Sequence, residues 1–84
     1  MKPIRKSTEE MRQLGAAVKR RREALRLTQP EVVRLSGCSL DFVVDLEKGR
    51  ASRLDRIFAV LRVLGVGFVL TQSPASFEIS VELR

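Results

Sequence analysis

Apolar residues recur with a helical period along most of this chain and with a strand period near its end. At about 100° per residue, Met11, Leu14, Val18 and Leu25 fall within about 60° of one another. Ser7-Thr8-Glu9-Glu10 precedes them as a capping box, so a first helix is expected over 8–26. Thr28-Gln29-Pro30-Glu31 is a second box, with proline in the first turn where its missing N–H does little harm. It opens a short helix over 29–36, and Gly37 follows as a residue able to take positive φ. Ser39 caps a third helix over 40–48, ended by Gly49, and Ser52 with Asp55 opens a fourth, ended by Gly65.

Beyond Gly65 the period changes. Residues 66–71 read as a strand that is apolar on both faces, and TQSPAS at 71–76 reads as a turn or loop. Phe77, Ile79, Val81 and Leu83 then alternate with Glu78, Ser80, Glu82 and Arg84, the pattern of a half-buried strand. The organisation expected is a flexible basic arm over 1–7, a helical domain over 8–65 and a C-terminal strand or hairpin over 66–84. In the fourth helix, Leu54, Ile57, Phe58, Val60, Leu61, Val63 and Leu64 spread over an arc of about 220°, wider than one core face requires. An apolar strand edge after such a helix invites pairing with another chain. A two-fold dimer is therefore expected through Val60, Val63, Leu64, Val66, Phe68 and Leu70. The alternative is that the 77–83 strand folds back and covers the edge. Both hold if two hairpins share a four-stranded sheet.

Composition narrows the chemistry. The 84 residues include 16 Lys and Arg against 10 Asp and Glu, a net charge of +6. Residues 1–36 hold ten of the bases and four of the acids, so the whole excess lies in the first half. A localised patch of this sign points to a polyanion, usually nucleic acid. With no His and one Cys, there is neither an imidazole base nor a thiolate zinc site, and no metal or cofactor is called for. No Gly-rich phosphate loop is present either, so an enzyme and a small-molecule substrate are not expected. Cys38 reads as a small buried hydrophobe in a reducing, cytoplasmic setting. No apolar run approaches the length of about 20 residues that spans a membrane. The basic start passes to Ser7, Glu9 and Glu10 rather than to the apolar stretch of a secretory signal.

Helical phase singles out one of the bases. Lys19 and Arg20 point away from the apolar stripe of the first helix, but Arg22 lies within about 40° of its centre. A charge there needs a partner. In the third helix Val43 and Leu46 define the inner face and Glu47 lies on it, so an Arg22–Glu47 pair is expected to lock the two helices together.

Two short helices joined through Gly37 form a helix-turn-helix. The spacing of Leu14-Gly15, Val18, Arg22, Thr28-Gln29, Gly37, Val43, Leu46-Glu47 and Gly49 resembles the lambda-repressor-like (XRE-type) helix-turn-helix family over about residues 14–65. The string FVVDLEKGR followed by LDRIFAVLRVLGVGFVL is similar, more narrowly, to HipB-type antitoxins of type II toxin–antitoxin systems. The resemblance implies a mainly α, four- to five-helix domain whose C-terminal strand or hairpin helps to form a dimer. It implies the same Arg22–Glu47 pair, and a Gln29 that contacts a DNA phosphate and braces the recognition helix.

By alignment to the motif, Ser39, Leu40, Asp41, Phe42 and Asp45 face the bases. This departs from the usual Arg, Lys, Asn and Gln readers, although Asp can accept from cytosine N4 and Leu40 or Phe42 can touch a thymine methyl. Phosphate contacts then fall to Lys19, Arg20, Thr28, Gln29, Arg34, Lys48, Arg50 and Arg53, with Lys2, Arg5 and Lys6 of the arm in reserve.

The function expected is a dimeric repressor that binds a palindromic operator in double-stranded DNA. On the resemblance it is a bacterial antitoxin, nucleoid-associated when DNA-bound, that represses its own operon and binds a HipA-like toxin kinase. Two alternatives stay open. One is a phage or mobile-element regulator without a toxin. The other is a protein–protein module in which DNA binding is lost.

Overall fold

The computed structural model describes residues 8–69 and 80–83. Its elements are α1 (Glu9–Ala24), α2 (Gln29–Ser36), α3 (Leu40–Glu47), α4 (Leu54–Leu64), β1 (Val66–Val69) and β2 (Ser80–Leu83). The fold is mainly helical, with β1 and β2 following as an antiparallel pair in the register Val66↔Leu83 to Val69↔Ser80. One edge of the strand after α4 is therefore covered by the folded-back β2. Residues 1–7, Leu70 and the expected loop lie outside the described residues, as do Phe77 and Ile79.

Caps account for most element ends. Thr28 accepts from the Glu31 amide at 3.2 Å while the Glu31 carboxylate accepts from the Thr28 amide at 2.9 Å, so the second box is reciprocal. Donation to that carboxylate from the Thr28 amide, and from the Thr28 hydroxyl at 3.0 Å, holds the Glu31 carboxyl below its ordinary pKa. Gly37 closes α2 at φ 76° and Ser39 accepts from the Phe42 amide at 3.1 Å to open α3.

Two starts differ from expectation. The cap of α1 is Thr8, which accepts from the Met11 amide at 3.2 Å; with methionine at that position no reciprocal box forms. The cap of α4 is Arg53, without a side-chain hydrogen bond, rather than Ser52. Ala51 is drawn into the core, and the chain enters the helix one residue later than Ser52 and Asp55 indicate. Asp55 instead pairs with Arg53 at 3.2 Å.

α1 also stops short of the expected Arg26. Leu25 is its C-cap and Arg26 takes φ 59°, the left-handed position usually given to glycine. The Leu27 amide bonds to the Arg22 carbonyl at 3.1 Å and the Arg26 amide to the Glu23 carbonyl at 2.9 Å, the two bonds of a Schellman stop. Leu25, counted on the apolar stripe, is consequently exposed. α3 ends in the same motif at Lys48, with Gly49 at φ 78°.

The core gathers Leu14 and Val18 of α1, Val32 of α2, Val43 and Leu46 of α3, and Ile57, Val60, Leu61 and Leu64 of α4. Val66 of β1 and Cys38 complete it. The Cys38 thiol lies 3.7 Å from the Arg56 carbonyl. Val60, Leu64 and Val66 were expected at a dimer interface; at 0%, 1% and 2% exposure they are inside the protomer instead. The wide apolar arc of α4 arises because that helix packs against α1, α2 and β1 at once.

Gly15 sets how closely α1 and α3 cross. A Cβ there would lie 2.3 Å from the Leu46 carbonyl oxygen and 2.8 Å from that of Glu47. Both obstacles are backbone, so Gly15→Ala must push α3 away. Overpacking of this kind costs about 1–3 kcal/mol, and the thermal midpoint of the variant is expected to fall by at least about 5 °C. Arg26→Gly is expected to act in the opposite direction. Relief of the left-handed strain adds about 0.5–1 kcal/mol, read in the same melt as a rise of a few degrees.

Candidate nucleic-acid interface

The turn at Gly37 sets α3 against α2 and α1 and turns its outer side away from the core. Val43 and Leu46 are fully buried, whereas Leu40, Asp41 and Lys48 are exposed. Phe42, expected to face bases, is half-buried and packs against the core. It lies one turn before Leu46 on the same side of the helix, which decides its direction. Ser39 is exposed with its hydroxyl committed to the Phe42 amide, and Asp45 is half-buried. The outward stripe also contains Val44, which alignment to the motif passed over. Its place three residues after Asp41 and four before Lys48 was available from helical phase.

Behind this face lies a bidentate ion pair. Arg22 Nε donates to Glu47 Oε2 at 2.5 Å and Nη2 to Oε1 at 3.0 Å. The side chains retain 12% and 4% of their exposure. Arg22 Nη1 donates to the Leu27 carbonyl at 2.9 Å, just after the α1 stop, and Gln29 Nε2 donates to Glu47 Oε1 at 3.1 Å. One carboxylate thus ties α1, α2 and α3 together. The hydrogen bond to Glu47 raises the pKa of Arg22, outweighing the opposite effect of burial. Among the described residues no buried side-chain nitrogen or oxygen lacks a partner. This pair was legible from phase. Arg21 lies as near the stripe by phase, but its partner was not legible: its Nε donates to the Leu64 carbonyl at 3.0 Å and satisfies the end of α4, 43 residues away in sequence.

An open cleft of about 390 Å³ lies beside the pair, lined by Lys19, Glu23, Gln29, Val44 and Lys48 together with Arg22 and Glu47. It brings together Lys19, Gln29 and Lys48 from the expected phosphate set. Arg20, Thr28, Arg34, Arg50 and Arg53 are exposed but do not line it, and Arg53 is engaged with Asp55. Lys2, Arg5 and Lys6 lie outside the described residues. Lys19 and Lys48 give this cleft cations that can meet an anion, and the carboxylates of Glu23 and Glu47 share its lining.

A family model described as a helix-turn-helix domain matches residues 13–72. The match covers well over half of the chain, which belongs to this helix-turn-helix family, one of the XRE/lambda-repressor kind. It is a DNA-binding regulator by that membership. Comparison with curated proteins finds no match. Among the described residues no helix is long and apolar enough to cross a membrane.

If Glu47 is the tie between the three helices, Glu47→Gln removes the charge that holds Arg22 and leaves that guanidinium poorly compensated. A loss of about 3 kcal/mol is expected, measured by thermal denaturation at neutral pH. A midpoint within about a degree of the parent's would show that Arg22 does not need the carboxylate.

Proposed function

We propose that the chain is a dimeric, sequence-specific repressor, and that it is an antitoxin controlling its own operon and binding a HipA-like toxin kinase. The observation that carries this reading is the bracing of α3. Glu47 fixes the helix from behind through Arg22 and Gln29, while Asp41 and Val44 lie on the other side. A helix held in this way suits insertion in a major groove. The exposed bases Lys19, Arg20, Arg34, Lys48 and Arg50 supply the phosphate contacts, with Thr28, Gln29 and Arg53 beside them.

The dimer surface of this reading lies at Leu54, Phe58 and Phe68 rather than at Val60, Leu64 and Val66. Leu54 and Phe58 are one turn apart on α4, 55% and 40% exposed. Phe58 stacks on Phe68 of β1, with ring centres 5.6 Å apart and planes 9° from parallel. Val63 is half-buried on the opposite flank of α4, and Val69 is exposed at the end of β1. A small core gives the chain reason to bury such a face against a second copy. Two-fold symmetry then requires a palindromic operator with half-sites about 34–36 Å apart, or a multiple of that. The antitoxin role rests on the likeness of the 42–50 and 54–70 segments to HipB-type chains, and its counterpart is a kinase-like gene beside this one.

The acidic outer side of α3 also favours a second reading, a protein module that grips a basic partner. Salt separates the two. In a mobility-shift assay on the DNA upstream of its own gene, a dimer making six to ten phosphate contacts is expected to lose about 10³–10⁵-fold in affinity between 50 and 200 mM salt. Binding to that DNA that ignores salt, or none at any salt, would favour the protein module. In sedimentation at micromolar concentration the parent is expected at dimer mass, and Phe58→Glu at monomer mass with unchanged helicity. A monomeric parent would remove the dimer.

A further inference from the structure

We infer that α3 reads two cytosine-bearing base pairs, about two steps apart, through Asp41 and Asp45, with Val44 flanking them against a thymine methyl. The inference rests on the DNA-binding reading above and concerns which sequence is chosen.

The outward arc of α3 is specific in its chemistry. Asp41, Val44, Asp45 and Lys48 fall within about 100° of one another, opposite the buried Val43 and Leu46. Asp41 and Lys48 are exposed, and Val44 and Asp45 are half-buried. Ser39 caps the helix and Phe42 is directed to the core, so two of the residues aligned with base-facing positions are otherwise engaged. Neither Asp41 nor Asp45 forms a salt bridge with a described residue. What the arc offers a groove is two acceptors, one methyl pair and one ammonium.

A carboxylate can only accept. In the major groove guanine and thymine present O6 and O4, which repel it, and adenine sets an N7 acceptor beside its amino group. Cytosine N4 is the donor without an acceptor next to it on the same base. Four residues of helix rise about 6 Å, against about 3.4 Å per base step, which spaces the two contacts about two steps apart. Val44 flanks them about 60° from Asp41, on the side away from Asp45, and its methyls match the C5-methyl of thymine. The same carboxylates oppose the phosphates wherever no cytosine meets them. Binding strength then comes from the surrounding bases, and selectivity from the penalty that the acids impose on other sites.

The test is selection from random double-stranded oligonucleotides, bound by the full chain, recovered and sequenced, for the parent, Asp41→Asn and Asp45→Asn. The parent is expected to recover half-sites with two C·G pairs two steps apart and a T·A pair adjoining them. Each Asn variant is expected to move one of the two positions from cytosine to adenine by about 10- to 100-fold, since Asn is bidentate to adenine. Parent half-sites without cytosine at paired positions overturn the assignment and leave DNA binding standing. Asn variants that raise recovery of every sequence alike do the same. No enrichment of any DNA by the parent overturns the DNA-binding reading and the assignment with it. The parent selection decides the matter even where a variant fails to fold.

Discussion

The structure turns on the Glu47 carboxylate. It sits at the C-terminal end of α3 with 4% of its side chain exposed and accepts from two nitrogens of Arg22 and from Gln29. Removed from water without partners, it would be strongly unfavourable. With three donors from two other helices, it becomes the joint that sets their angles. The backbone approach at Gly15 depends on the same joint, because α3 reaches α1 closely only where no Cβ stands between Gly15 and the Leu46 and Glu47 carbonyls. A close crossing and a satisfied charge therefore select each other. Both would be lost if α3 rolled or slid by a fraction of a turn.

This joint alters the meaning of the net charge. Two arginines of the basic run in α1 point inward to structural duties: Arg22 to Glu47 and the Leu27 carbonyl, and Arg21 to the end of α4. Lys19 and Arg20 of the same helix remain as surface cations. The charge that holds a polyanion is thus smaller than the total of +6 implies. It surrounds a recognition helix whose own outer side carries two acids. On the proposed reading, attraction and selection fall to different residues, which permits a weak non-specific field and a demanding groove contact in one small domain.

The hairpin supplies what four short helices lack. Val66 inserts into the core below α4, and Phe68 stacks on Phe58 at its rim. Pairing of β1 with β2 satisfies the backbone of a strand that is too apolar to stand alone. On α4, the apolar surface left exposed lies at Leu54 and Phe58, while Val60 and Leu64 are buried.

How much of this could be read from the sequence depends on how local its cause is. α2 and α3 begin where Thr28 and Ser39 indicate, because a cap is formed by residues within one turn. Arg22 and Glu47 were identifiable by helical phase, because a charge on an apolar stripe must find an opposite charge. The left-handed Arg26 was not, since arginine carries no sign of that conformation and the need for a stop arises only when α2 must pack. Ser52 and Asp55 look like a helix start, but burial of Ala51 moves the start to Arg53. The direction of Phe42, the burial of Val60, Leu64 and Val66, and the reach of Arg21 to Leu64 were decided by tertiary packing alone. A pattern fixes which residues prefer to leave water. Only the assembled helices fix which neighbour covers them, and that choice places the recognition face.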